Sequence, residues 1–260
     1  MIESLSFFEK IQSVIDDKNE FVRLYVVEGL IEYVKFRHGK EVLHQHNILE
    51  KIIIKVDNEK SELILNKFMV LTNEILHVNE ATITALKNNY IQILKKHINH
   101  VKTKIRISVF INLASLCINE QGKEDCTEEG SLIVNSINQL KEQIELIKSS
   151  NKPKSFNLID TLNMIISLTR FQNTVSILKR GKVEIFENKG LDLYLELLKL
   201  VKNEQILINV LEVLGNTAEE PRARKTLLNH LEEISIFKDF DYDIVKTQAD
   251  LTLKIITWKP

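Results

Sequence analysis

A recurring amphipathic segment constrains the fold of this chain more than any other feature. Three segments of the first half, VRLYVVEGLIEYV, LILNKFMVLTNEI and IRISVFINLASLC, begin at Val22, Leu63 and Ile105. In the first and third, apolar residues at positions i, i+4 and i+8 lie on one face of an α-helix, as Val22, Val26 and Leu30 do. Segments of the same kind begin at Leu158 and Leu207, and a last one near the carboxyl end. The central apolar anchors of the six segments are Leu30, Leu71, Leu113, Ile165, Leu214 and Leu253.

The spacing of these anchors indicates a repeat architecture. The intervals are 41, 42, 52, 49 and 39 residues, the period of armadillo or HEAT units, in which stacked layers of two or three helices bury each other's apolar faces. Seven Gly and three Pro are too few for the many tight turns of a sheet protein. The sequence therefore predicts an all-α, armadillo/HEAT-like right-handed α-solenoid of about five to six repeats, with residues 1–260 forming one domain.

The two longer intervals predict insertions near 119–130, 149–157 and 179–190. The first is a polar acidic stretch, NEQGKEDCTEEG, and the last is KRGKVEIFENKG. Insertions in a solenoid fall on its surface loops. Between them, apolar residues in 4-3-4-3 spacing predict a helix that packs on its neighbours or, alternatively, docks on a partner helix: Ile133, Ile137, Leu140, Ile144 and Ile147.

Composition and motifs argue against several classes of function. The formal net charge is −1, so no global field attracts nucleic acid or an anionic membrane, and the most basic stretch, KKHINHVKTKIR, lacks the interleaved aromatic residues of a nucleic-acid surface. His97 and His100 have helical metal-ligand spacing but no nearby carboxylate or cysteine to complete a site. Cys117 and Cys126 form no CxxC motif. No glycine-rich loop, catalytic set or secretory signal is recognisable, so we expect a soluble intracellular protein that is not an enzyme and takes no metal or cofactor.

One pattern points to a binding surface. Two residues beyond each anchor lies a mostly polar side chain, and in a stacked solenoid these positions form a row along one surface. An amide there can both donate to and accept from the backbone of an extended peptide. The row predicted to bind a partner consists of Glu32, Asn73, Ser115, Ser167 and Asn216.

Two stretches of the second half carry a resemblance to known proteins. The segment LGNTA, which contains Asn216, resembles the end of the third helix of an armadillo repeat, and FENKGLDLYLELL resembles the turn and second helix before it. In armadillo proteins that bind extended peptides, an Asn at the position of Asn216, and of Asn73 in VLTNEI, holds the peptide backbone. The resemblance therefore implies a role for these two amides.

The last 45 or so residues carry a narrower resemblance. They are similar to the last unit of the armadillo-type radial spoke head proteins of motile cilia, through Ala218, Glu219, Pro221, Arg224, Lys225, Leu227, His230 and the closing ITWKP. The resemblance implies a non-catalytic structural part of the ciliary axoneme, with axonemal or radial spoke subunits as partners and a place in the cytoplasm, cytoskeleton and cilium. The alternatives are a soluble cytosolic adaptor that binds an extended peptide of a partner protein, and an enzyme or regulatory subunit with a site near Cys126 or Lys182.

Overall fold

The computed structural model describes residues 2–128, 130–149 and 156–258, with the side chains of residues 2–6 and of Gly130 left aside. Within these ranges the regular structure is entirely helical, which confirms the all-α prediction. Contacts divide the chain into two compact units, Met1–Gly122 and Lys123–Pro260. The single domain predicted over residues 1–260 stays a prediction.

Residues 2–122 of the first unit contain eight helices, and the boundary between the units falls inside the ninth. Each repeat consists of a short first helix, a second helix and a longer third helix. Each third helix packs on the third helix of the repeat before it, so that α2, α5 and α8 form a stack, while α4 packs on α5 and α7 packs on α8. The helices are α1 (Ile2–Ile15), α2 (Glu20–Tyr33), α3 (Arg37–Gln45), α4 (Ile48–Asn58), α5 (Glu62–Ile75), α6 (Asn79–Lys87), α7 (Tyr90–His97), α8 (Thr103–Leu116) and α9 (Glu120–Glu128).

The second unit repeats this order of short first helix, second helix and longer third helix. Its stack is α11, α14 and α17, with α10 packed against α11 and α13 against α14. Short 3₁₀ turns at Leu228–His230 and Ile236–Asp239 flank α16. The helices are α10 (Gly130–Lys148), α11 (Leu158–Val175), α12 (Lys179–Glu187), α13 (Gly190–Leu200), α14 (Glu204–Thr217), α15 (Pro221–Leu227), α16 (Leu231–Ser235) and α17 (Asp243–Thr257).

A small residue at the third position of each first helix fixes the joint between successive repeats. A Cβ added at Gly39, Gly122 or Gly181 would lie 2.2, 2.2 or 2.0 Å from a carbonyl oxygen, that of the residue ending the preceding third helix. No side chain fits at that distance, so these first helices approach the end of the third helix more closely than a larger residue allows. Ala81 and Ala223 hold the same position in the other two repeats.

A left-handed residue makes the turn between first and second helices in three repeats. Asn47, Asn89 and Lys189 have φ of 56°, 55° and 61°. Asn tolerates this region better than most residues because its short polar side chain can bond locally, whereas Lys has no such advantage. The turn that precedes Gly190 is therefore the most strained of the three.

The predicted anchors are buried with one exception. Leu30, Leu71, Leu113, Ile165 and Leu214 lie in the core. Leu253 is only half-buried, so this part of the prediction is wrong. The core face of α17 is one residue out of the predicted register and consists of Val245, Ala249, Thr252 and Ile256.

The prediction that the insertions near 119–130 and 179–190 form surface loops is also wrong. Residues 120–128 form α9 and residues 179–187 form α12, both first helices of ordinary repeats. The third helices end at Tyr33, Ile75, Leu116, Val175 and Thr217, at intervals of 42, 41, 59 and 42 residues. All the extra length thus falls in one repeat, in the 19 residues of α10, the 18 residues of α11 and the segment between them. Most of the third predicted insertion, 149–157, lies outside the described residues.

Helix α10 packs within the second unit, which confirms the first of the two interpretations given to its heptad pattern. Ile133, Ile137, Leu140 and Ile144 are buried. Helix α10 contacts α11, α12 and α13, and Ile147, the last residue of the pattern, is half-buried. Burial against these neighbours leaves the heptad face no room for a partner helix.

Candidate functional site

In the first unit, two predicted site residues meet near the carboxyl ends of adjacent third helices. The Ser115 hydroxyl of α8 donates a hydrogen bond to Oδ1 of Asn73 on α5, at 2.7 Å. Asn73 is half-buried, whereas Ser115 is 1% exposed. The amide NH₂ of Asn73 has no acceptor among the described residues, so it is available to a ligand.

The same two helices are joined again two turns earlier. The Ser108 hydroxyl donates to Oδ1 of Asn66 at 2.8 Å, and the buried Asn112 amide donates to the carbonyl oxygens of Met69 and Ser108 at 3.0 and 2.8 Å. The Tyr90 hydroxyl of α7 donates to Oδ1 of Asn112 at 3.2 Å. These bonds satisfy buried polar groups and hold α5 and α8 in register. They thereby fix the positions of Asn73 and Ser115 relative to each other.

In the second unit, Asn216 occupies the position equivalent to Ser115, one residue before the last residue of its third helix. Its Nδ2 donates to Oδ1 of Asn173 on α11 at 3.1 Å and to the Ser176 hydroxyl at 3.0 Å. Both N–H groups of the amide are therefore used within the protein. Its Oδ1 receives no hydrogen bond from the described part of the chain and stays available as an acceptor. The side chain is half-buried.

A carboxylate fixes the orientation of this network. Nδ2 of Asn173 donates to the Glu212 carboxylate. An ionised carboxylate can only accept, so Asn173 must present its amide nitrogen to Glu212 and its oxygen to Asn216. Burial raises the pKa of Glu212 and the hydrogen bond from Asn173 only partly offsets that effect. Asn216 is thereby held with its NH₂ donating to Asn173 and Ser176 and with its Oδ1 free to accept.

The other two predicted site residues do not join these clusters. Ser167 is 1% exposed, and its hydroxyl turns back to donate to the carbonyl oxygen of Met164 in its own helix. Glu32 is exposed and pairs with Lys35 on the same surface, with no hydrogen bond to Asn73. An open row of all five side chains is therefore not present, because Ser115 and Ser167 are covered by protein. Partner binding by the five residues stays a prediction.

Asn173, Ser176 and Glu212 were missed by sequence reasoning. The anchor chosen in α11, Ile165, lies ten residues before the end of that helix, whereas Leu214 lies three residues before the end of α14. Counting back from the helix ends aligns Asn173 with Asn73. The turn sequence that follows each third helix was the signal that could have found it.

Other candidate sites are occupied by structural contacts. His97 Nε2 lies 3.2 Å from the carbonyl oxygen of Val56, and burial lowers the pKa of this imidazole. In the basic stretch, Lys96 pairs with Asp57 and Lys102 with Glu62. No group of three or more metal-ligating side chains occurs among the described residues. None of the helices so described is both long and apolar enough to cross a membrane.

Comparison with known proteins shows the fold. No family model and no curated protein matches the sequence. Among solved structures, the chain is similar to a designed armadillo repeat protein with a TM-score of 0.75 and 12% identity, covering 95% of this chain and 99% of that one. A second designed armadillo repeat protein, solved in complex with the peptide (KR)4, gives a TM-score of 0.73 at 12% identity, with 95% and 98% covered.

A third similar chain comes from a structural study of a phosphorylation switch that controls the interaction between cadherin and beta-catenin. Its TM-score is 0.76 at 18% identity, with 97% of this chain and 47% of that chain covered. Together with the three-helix repeats, these similarities confirm the predicted fold class: the chain is an all-α solenoid of armadillo repeats.

Proposed function

We propose that the protein is a non-catalytic scaffold that holds an extended segment of a partner protein against the third helices. The observation that carries the proposal is a half-buried amide near the carboxyl end of a third helix in each unit, Asn73 in the first and Asn216 in the second. Each is fixed by a hydrogen bond to the adjacent third helix and keeps one unused polar group.

The unused groups match the two polar groups of a peptide backbone. Asn73 offers an N–H donor to a peptide carbonyl, and Asn216 offers an acceptor to a peptide N–H. Because both side chains are already fixed, little side-chain entropy is lost when they bind. Two of the similar structures concern proteins with a peptide or protein partner: one designed protein is bound to the peptide (KR)4, and beta-catenin interacts with cadherin.

The decisive experiment compares Asn73→Asp with Asn79→Asp in the intact chain. Asp at position 73 keeps the oxygen that accepts from Ser115 but removes the free NH₂ donor, whereas Asn79 is an exposed amide at the start of α6. Equal amounts of each immobilised protein are exposed to an extract of ciliated cells, and the captured proteins are quantified by mass spectrometry. We expect Asn73→Asp to recover the specific partners several-fold less well than the wild type, and Asn79→Asp to recover them normally. Equal recovery by both variants contradicts the proposed surface.

We further propose that the scaffold serves in the ciliary axoneme, as a structural component related to radial spoke head protein 14. The support is the sequence resemblance of residues 218–230 and of the closing ITWKP. The partners are then other axonemal or radial spoke subunits. A fluorescently tagged chain expressed in ciliated cells should label the whole axoneme and stay with it after detergent extraction.

The alternative is a cytosolic adaptor that binds an extended peptide of a partner protein. The same free amides favour it, because they serve any extended backbone. Diffuse, fully extractable fluorescence, with expression in cells that lack cilia, supports the adaptor and excludes the axonemal role.

A further inference from the structure

The carboxyl end of the second unit holds an apolar pocket that the amide pairs do not use. It has a volume of about 480 Å³ and is lined by Glu219, Arg224, Leu251, Lys254, Ile255 and Trp258. Two of its three apolar side chains are open to solvent, since Leu251 is 46% exposed and Trp258 is 58% exposed. We call this concavity the Trp258 pocket.

The neighbouring repeat has an ion pair at the position equivalent to this pocket. There, Lys182, the fourth residue of the first helix α12, pairs with Glu219, just beyond the end of the next third helix. In the last repeat, Arg224 is the fourth residue of α15 and lies against Trp258, just beyond the end of α17, with its Cζ 5.5 Å from the ring centroid. A joint that is closed by an ion pair in one repeat is thus lined by a cation and an indole ring in the next.

The pocket carries surplus positive charge. Nε of Arg224 donates to the carbonyl oxygen of Ala218 at 2.8 Å, which fixes the guanidinium beside the ring. Glu219, the one acidic side chain among the lining residues, is engaged by Lys182. Within the described ranges, neither Arg224 nor Lys254 has a carboxylate in pairing distance. The apolar floor is therefore bordered by two cations that lack an anionic partner.

We propose that the Trp258 pocket binds an apolar side chain of a partner segment that carries carboxylates next to that side chain. The proposal deepens the scaffold function and rests on it, since it names the chemistry of one part of the partner. Trp and Arg are enriched among the residues that dominate binding energy at interfaces, where such residues cluster in well-packed pockets that exclude water. Arg224 and Lys254 attract a carboxylate beside that group and repel a basic segment.

Trp258 also provides the measurement, because it is the only tryptophan of the chain. We choose as probe the acetylated and amidated peptide Glu-Asp-Leu-Asp-Glu, titrated into the intact protein while the tryptophan emission is recorded. Insertion of the leucine beside the indole should shift the emission saturably. The same peptide with Ser for Leu, and one with Lys for every acid, should each bind at least roughly fivefold more weakly, the effect of about 1 kcal/mol. Added salt should weaken the response.

Variants separate this pocket from the rest of the surface. Leu251→Asp places a carboxylate in the floor of the pocket, and Arg224→Gln removes one cation. Ile244→Asp is the matched control, because Ile244 is 55% exposed on the same helix two turns earlier. Leu251→Asp should abolish the response, Arg224→Gln should weaken it roughly fivefold, and Ile244→Asp should leave it unchanged.

Three results would overturn the proposal: no emission change with the acidic peptide up to millimolar concentration, an equal change with the lysine peptide, or an unchanged response in Leu251→Asp. The scaffold function is tested separately by the Asn73→Asp capture experiment. Loss of capture in Asn73→Asp together with an absent Trp258 response leaves the scaffold standing and rejects only the pocket.

Discussion

Asn73 and Asn216 should respond differently to the same substitution. Asn73→Asp keeps the oxygen that accepts from the Ser115 hydroxyl and removes only an unused donor. Asn216→Asp removes both donors, which are bonded to Asn173 and Ser176. It also turns an oxygen toward the Asn173 oxygen, and it places a negative charge one helical turn from the half-buried Glu212.

The expected magnitude follows from the bonds that are lost. Each intramolecular hydrogen bond contributes about 1 kcal/mol, so Asn216→Asp should lower the unfolding free energy by about 2 kcal/mol at neutral pH. For a unit of this size that corresponds to a fall in Tm of roughly 4–8 °C. Asn73→Asp should stay within about 0.5 kcal/mol of the wild type, as surface substitutions usually do.

Thermal and urea unfolding followed by circular dichroism measure both variants under identical conditions. Asn216→Ala serves as a control for charge: it loses the same two bonds without the new carboxylate, so it should be destabilised by a similar or slightly smaller amount. If Asn216→Asp has the same Tm and unfolding free energy as the wild type, the hydrogen bonds to Asn173 and Ser176 do not stabilise the fold. The reasoning about fixed amides then fails.

The remaining predictions concern stability. Gly181→Ala should destabilise by roughly 1–3 kcal/mol because its Cβ overlaps a carbonyl oxygen, whereas Gly29→Ala, at an exposed helical site with nothing within 4 Å, should stabilise by about 0.5–1 kcal/mol; equal effects in urea unfolding would refute the steric account. Lys189→Asn should stabilise by roughly 0.5–1 kcal/mol by relieving the left-handed turn, and a lower Tm would contradict this. The folded-state pKa of Glu212 is raised by burial, so the wild type loses stability as pH rises from below the unfolded value near 4.3 through the folded one. Glu212→Gln should therefore gain in Tm over the wild type between pH 4 and pH 7.5, and a pH-independent difference would count against it.

The stack of amphipathic helices could be predicted from the sequence because it depends on local spacing. An apolar residue every three or four positions shows which face of a helix is buried, and a period near 41 residues shows that such helices recur. Leu71, Leu113 and Leu214 were placed correctly in this way. The packing partners of each helix follow from the repeat order, since each layer contacts its neighbours along the chain.

The short first helices could not be predicted in the same way. Helices α9 and α12 each have nine residues and few buried side chains: besides the glycine, α9 buries Cys126 and Thr127, and α12 buries Ile185. Polar stretches with a glycine are also typical of loops, so the two possibilities could not be separated by composition. The informative signal was a Gly or Ala at the third position of each first helix. This pattern concerns the size of the side chain and not its hydrophobicity.

The register of the polar residues depended on three-dimensional packing. A shift of a few residues in the choice of anchor in α11 exchanged Asn173 for Ser167, one at the surface and the other buried in the core. Which amides face outward is decided by the bonds between helices, and these join residues about 40 positions apart. Glu212 is an example, because only its contact with Asn173 identifies it as the group that orients the network.

The unused groups restrict the conformation of a partner as well as its position. Within an α-helix the backbone N–H and C=O groups are bonded to one another except in the first and last turns, so a docked helix offers side chains but little backbone to Asn73 or Asn216. An extended segment has free carbonyl and N–H groups along its whole length. Asn73 has an unused NH₂ that can donate, whereas Asn216, with both N–H groups used, can only accept, so the two amides suit opposite groups of a peptide backbone. A bound helix would leave both amides unpaired at the interface, at a cost of about 1–3 kcal/mol for each group that becomes buried. The two amides thus favour an extended partner over a helical one, and tight binding of a helical peptide that is insensitive to Asn73→Asp would refute this selection.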